Sequence, residues 1–137
     1  MRVYRCEGGF LVRLDRGEDI CGGILQFCAK EGIKGAVIFG IGAVCDPVVG
    51  FYDTECGEYK KVELKGEYEM LSLMGNVSLK EGELSCHLHI VLGDGEARVY
   101  GGHLFSGVIS VTGEIWIRPV GLELCRVNKG GGLWLLR

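Results

Sequence analysis

The sequence has no apolar run long enough to cross a bilayer. Its most apolar stretch, GAVIFGIGAVC from Gly35 to Cys45, is bounded by Lys34 and Asp46, well short of the ~20 residues a spanning helix takes. That stretch reads as a buried strand. Positive charge is also scarce. Fifteen Lys and Arg against 18 Asp and Glu give a formal charge of -3, so the broad positive field that draws proteins to nucleic-acid phosphates is missing. The lysines Lys60, Lys61 and Lys65 are interleaved with Glu58, Glu63 and Glu67 and read as a solvated strand end.

The seven cysteines (Cys6, Cys21, Cys28, Cys45, Cys56, Cys86 and Cys125) are odd in number and form no CxxC pair. They read as reduced thiols that pack as small hydrophobes. Cys86 adjoins His87, but neighbouring strand residues point to opposite faces, so His87 is badly placed to activate it. No serine stands in a G-x-S-x-G setting. Neither Gly40-Ile41-Gly42 nor Gly130-Gly131-Gly132 has the strand-to-helix context of a phosphate loop. The N-terminal MRVYRCEGGF breaks its apolar residues with charge, so neither a secretory nor a transit segment is read there and a cytoplasmic location is expected.

What is present is strand. The 137 residues fit a single domain, 1–137, able to bury roughly two-thirds of its unfolded surface. Residues Arg2 to Leu14 are β-rich around a Gly8-Gly9 turn. In RGEDICGGILQFCAKEG, the residues Ile20, Ile24, Leu25, Phe27 and Cys28 recur at helical spacing, Glu18 and Asp19 suit the first turn, and Gly32 ends the helix. Strand signals then follow one another to the C-terminus, separated by Asp46-Pro47, Cys56-Gly57, Lys65-Gly66, Glu81-Gly82 and Asp94-Gly95. The expectation is an α+β fold, a mainly antiparallel sheet with one principal helix packed on it.

All three histidines fall in CHLHIVLGDGEARVYGGHLFSG, residues 86–107. Alternation puts Leu84, Cys86, Leu88, Ile90 and Leu92 on one face of the strand, and Ser85, His87, His89 and Val91 on the other. Two imidazoles two residues apart on one face can reach one zinc ion. His103 joins them only if the hairpin register agrees. A two-residue Asp94-Gly95 turn puts it on the opposite face. A three-residue loop sets it across from His87, and a bulge at Gly101-Gly102 achieves the same correction. Three histidines without a fourth protein ligand leave one position open, as in catalytic zinc sites, with Asp94 or Glu96 as candidates to complete or orient the set. Beyond His103, its face continues through the apolar Phe105, Ile109, Val111, Ile115 and Ile117, unless a bulge at Gly107 or Gly113 changes the facing.

Three motifs in order, GEYEMLSLMGNVSL (Gly66 to Leu79), HLHIVLGD (His87 to Asp94) and VYGGHLFSGVIS (Val99 to Ser110), resemble the plant- and prokaryote-conserved (PPC) domain, which accompanies AT-hooks in plant nuclear proteins. The resemblance extends over nearly the whole chain, including VIFGIGAV and TGEIWI. It implies a helix packed on a central antiparallel sheet, a homotrimer, and metal binding, with Zn2+ the usual suggestion, by His87, His89 and His103. The chain departs from the plant pattern in two ways. It has no Arg-Gly-Arg-Pro AT-hook core, and Glu67 stands where plant members carry arginine, which weakens the transfer of DNA contact or of the plant partner role. Tyr68, Met70, Leu71 and Leu73 read as core or subunit-contact residues, and the C-terminal LWLLR as either a contact segment or a final core strand. Two function classes follow. One is a homotrimeric metal-binding protein, an enzyme if a zinc-bound water acts on a small-molecule ligand near the metal. The other is a non-enzymatic regulatory or DNA-binding-like domain without an AT-hook. No membrane partner is expected.

Overall fold

Alternating apolar residues produce nine strands, and the computed structural model, which describes residues 1–137, joins all nine in one sheet. β1 (Arg2–Cys6) and β2 (Gly9–Asp15) form a hairpin around Gly8, whose φ of 78° is the left-handed conformation glycine adopts freely. α1 (Ile20–Glu31) follows. β3 (Ala36–Asp53), β4 (Glu58–Glu63), β5 (Glu67–Lys80), β6 (Glu83–Gly93) and β7 (Val99–Pro119) make the body of the sheet. β8 (Cys125–Asn128) and β9 (Trp134–Leu136) extend its edge beyond β5. The pairings β3 with β5, β5 with β6, β6 with β7 and β7 with β3 close a circuit of four strands.

The α+β expectation does not hold. About two-thirds of the chain is strand and the single helix has 12 residues, so the fold is mostly β. The sheet is also mixed, because β8 runs parallel to β5 at Leu79 and Lys80. The excess of strand has a local cause: segments that read as separate strands run on through bulges instead of breaking. At Asp46-Pro47, β3 gains a residue against β7, since Cys45 faces Val108 while Val48 faces Ser106. Asp46 takes a φ of 46° there, and its carboxylate accepts the Gly66 N–H at 3.0 Å. At Phe105 it is β7 that gains one, with Ser106 opposite Val48 and Leu104 opposite Val49. β3 and β7 thereby reach 18 and 21 residues. The chain stands alone in the structure, so the trimer implied by the resemblance is not shown.

The helix is set by its ends. Asp19 is the N-cap, its carboxylate accepting the Gly22 N–H at 2.7 Å, and Gly32 closes the helix in the left-handed conformation at φ 68°. Glu18 lies ahead of the helix and accepts the Asp15 N–H at 2.6 Å, so neither acid occupies the first turn as expected. Ile20, Ile24, Phe27 and Cys28 are buried against the sheet, where they meet Leu14, Ile38, Leu73, Ile90, Leu92, Ile115 and Ile117. Each fully buried side chain of this size stabilises the fold by about 1.5–3 kcal/mol. Met70 and Leu73 belong to this core while Leu71 is exposed. The β7 bulge at Phe105 reverses the facing expected from simple alternation. Before it Leu104 points into the core and His103 away, and after it Ile109, Ile115 and Ile117 point inward.

Candidate metal centre

Strand parity places the first two histidines. On β6, Leu88, Ile90 and Leu92 are buried, while His87 and His89 face the other way, paired with Asn76 and Met74 of β5. His103 reaches them through a loop longer than the turn rules suggest. Gly93 pairs with Val99, leaving Asp94 to Arg98 as a five-residue connection, and His103 lies across from His89 rather than His87. Parity is preserved, so all three imidazoles share one face.

Asp94 organises that loop. Its Oδ1 accepts the Glu96 and Arg98 N–H groups, each at 2.9 Å, and its Oδ2 accepts Arg98 Nε at 2.7 Å and the Tyr100 hydroxyl at 3.2 Å. Ala97 sits in the left-handed conformation at φ 59°. The Arg98 guanidinium beside Asp94 holds its carboxyl down to about 2. Asp94 and Glu96 are therefore spent on Arg98, and neither completes nor orients the histidine set as the sequence allowed.

Glycines let β7 lie close against the neighbouring backbones just ahead of His103. A Cβ on Gly102 would meet the Gly50 carbonyl oxygen at 2.7 Å, and one on Gly101 the Ile90 carbonyl oxygen at 2.7 Å. The ring centroids of His87 and His89 are 5.2 Å apart, those of His87 and His103 5.1 Å, and those of His89 and His103 5.7 Å. One nitrogen from each ring lies within 4.8 Å of the others. Zinc–nitrogen bonds of about 2.0–2.1 Å in tetrahedral geometry need ligand nitrogens ~3.3 Å apart, so the rings would have to turn towards one another to share an ion. Tyr59 and Phe105 flank His103, with ring centroids at 5.0 and 4.8 Å.

Burial lowers the basicity of His103, holding it down to about 4, with His87, His89 and Arg126 adding to the effect. His87 is lowered too, by burial first and then by Arg126 and His89. Both rings are thus neutral near pH 7, the form that ligates metals. His103 Nδ1 is buried with no hydrogen-bond partner, an uncompensated polar atom of the kind a bound cation satisfies. A set of imidazoles without a carboxylate or thiolate suits zinc and its borderline neighbours rather than magnesium or calcium.

One neighbour was not legible in the sequence. Arg126 on β8 is buried and donates to Ser78 Oγ at 2.8 Å, the Trp134 carbonyl at 2.9 Å, Asn76 Oδ1 at 2.7 Å and His87 Nδ1 at 3.1 Å. A guanidinium only donates, so Nδ1 accepts and a neutral His87 carries its proton on Nε2. His87 offers a lone pair to a cation only when Arg126 releases it. Cys86 points away from this face, packs against the core, and shares a hydrogen bond with Cys21 of α1 that, with burial, pushes its thiol up.

The model of the Plants and Prokaryotes Conserved (PCC) domain, also written PPC, matches residues 1–121. The chain belongs to that family. Among solved structures, this PCC domain is similar to a PPC protein of Pyrococcus horikoshii, at 41% identity over 99% of this chain and 93% of that one, with a TM-score of 0.88. It is also similar to a metal-containing protein of Archaeoglobus fulgidus, at 42% identity over 99% of this chain and 95% of that one, with a TM-score of 0.85. A candidate DNA-binding protein of Ralstonia eutropha JMP134 is 26% identical over 98% of this chain and 94% of that one, with a TM-score of 0.90. No curated protein matches the chain. In this PCC domain, Arg126 lies beyond the matched residues, on the strand pair that closes one side of the histidine face.

Proposed function

We propose that this PCC domain binds one divalent metal ion, Zn2+, through His87, His89 and His103. The observation that carries the reading is the convergence of three imidazoles on one face with the His103 Nδ1 buried and unpartnered. The metal-containing relative from Archaeoglobus fulgidus, 42% identical, supports it. Three protein ligands leave a coordination position open, and zinc held that way supplies Lewis acidity to a small molecule beside it. The whole of residues 1–137 acts in this reading as one cytoplasmic unit. Assembly as a homotrimer belongs to it as well, supported by the exposed apolar residues Ile41, Leu71 and Val111 on the sheet. No helix is long and apolar enough to cross a membrane.

The test is metal uptake by untagged protein. Wild type takes up one equivalent of zinc and gains thermal stability from it, by about 2.7 kcal/mol at a free concentration one hundred times the Kd. The His87→Ala, His89→Ala, His103→Ala triple variant takes up none and gains nothing. Equal uptake by the two proteins would overturn the reading. A salt-sensitive shift of duplex DNA by the metal-free protein would instead favour the regulatory alternative.

A further inference from the structure

Beside the histidines lies a cavity of about 250 Å³ between β6, β7 and the C-terminal strands. Its charge is at odds with the rest of the molecule. The chain is acidic, with a formal charge of -3, yet no aspartate or glutamate lines this cavity, while Arg126 and Lys80 do. Arg126 makes no ion pair, although it is only 9% exposed. Lys80 makes none either; its Nζ lies 4.6 Å from the centre of the Trp134 ring. A buried guanidinium without a counter-ion is costly unless its hydrogen bonds and a neighbouring anion offset the desolvation.

The hydrogen bonds of Arg126 leave a vacancy. Four of its five N–H groups are taken, by Ser78, Trp134, Asn76 and His87, and one on Nη1 is free. Phe105, Leu133 and Trp134 give it an apolar and aromatic side, and His87, His103 and Ser85 line it as well. The volume is below the roughly 300–1,000 Å³ of sites for drug-sized ligands, so the occupant is small.

We propose that this cavity binds a small organic oxyanion, a carboxylate or phosphate on a compact apolar body, anchored by Arg126 with Lys80 as the second cation. The oxyanion accepts from the free Nη1 N–H and takes the place of His87 Nδ1 on Nη2. His87 then has its lone pair available to the metal, so anion and metal strengthen each other's binding, as linkage requires. This deepens the metal reading and rests on it for the ligand's position beside the ion, but the binding itself needs no metal.

The experiment is calorimetric titration of metal-free protein with benzoate and, separately, with inorganic phosphate at constant ionic strength. One-site saturation is expected with at least one probe, the stronger arm telling carboxylate from phosphate. Arg126→Met weakens it about tenfold or more, the value of one charge-assisted hydrogen bond. Because Arg126 also ties β8 to β5, Lys80→Met is the second variant. It lowers the melting temperature by no more than about 5 °C, the worth of its contact with the Trp134 ring, and weakens binding roughly three- to fivefold. No saturable binding of either probe, or equal binding by wild type and both variants, would overturn the proposal. Zinc uptake without oxyanion binding overturns this inference alone, and oxyanion binding without zinc uptake overturns the metal reading and the coupling to it while the oxyanion site stands.

Discussion

Gly75→Ala is a demanding test of how the histidine face is built. Gly75 lies on β5 opposite Leu88, and a Cβ there would run into the His87 carbonyl oxygen, with the His87 carbonyl carbon and Leu88 Cα both at 2.9 Å. All three are backbone atoms of the paired strand, so no rotamer change relieves the clash. β6 has to move at the residue that carries the first imidazole. Overpacking of this kind costs about 1–3 kcal/mol, and the fixed backbone puts Gly75→Ala at the upper end of that range. For a chain of this length each kcal/mol lowers the melting temperature by roughly 3–5 °C, so a fall of about 9–15 °C is expected. The control is Gly95→Ala in the β6–β7 loop, where an added Cβ meets nothing within 4 Å; it changes stability by no more than about 0.5 kcal/mol. Thermal unfolding gives the first number and zinc titration the second, with Gly75→Ala weaker in both. A melting temperature within about 2 °C of wild type, with unchanged zinc affinity, would refute the account of why glycine stands there.

Asp94→Asn loosens the loop that sets the register of His103, and its effect is pH-dependent. Because the folded carboxyl is held down to about 2 by Arg98, its stabilising contribution is fully present above the ordinary value of 3.8 and is lost as pH falls through about 2. The stability gap between wild type and Asp94→Asn, measured by urea unfolding, therefore narrows from pH 5 towards pH 2. Ile90→Ala empties a site 1% exposed in the core beneath the histidine strand and lowers unfolding free energy by about 2–5 kcal/mol in the same assay. Thiol labelling of the native protein proceeds fast at Cys6, Cys56 and Cys125, which are exposed. Cys28, whose thiol burial pushes up to about 12, labels only on unfolding.

The candidate site was legible to the extent that it depends on parity. His87 and His89 share a face because they are two residues apart in a strand, and no tertiary contact alters that. The position of His103 depends on a loop whose length is set by Asp94, which accepts two backbone N–H groups and holds Arg98. Asp-Gly turn chemistry points to a shorter connection, either a two-residue turn that puts His103 on the opposite face or a three-residue loop that pairs it with His87, whereas the five-residue loop pairs it with His89. Arg126 could not be found from sequence. It lies 39 residues from His87 and arrives through a two-residue parallel pairing that leaves no periodic signal. Bulges explain the misjudged fold class as well. Asp46-Pro47 reads as a turn, yet β3 passes through it, and the added strand makes the chain mostly β. The helix was clear because Asp19 and Gly32 mark its ends in the local sequence.

The central claim is that His87, His89 and His103 hold a metal ion together. Elemental analysis of untagged protein, purified without chelator, tests it most directly when wild type is compared with the single variants His87→Ala, His89→Ala and His103→Ala. The account predicts one equivalent of zinc per chain in wild type and loss of most of it in each variant. A metal-free wild type that takes up no added zinc, or full occupancy surviving the loss of any of the three histidines, would contradict it.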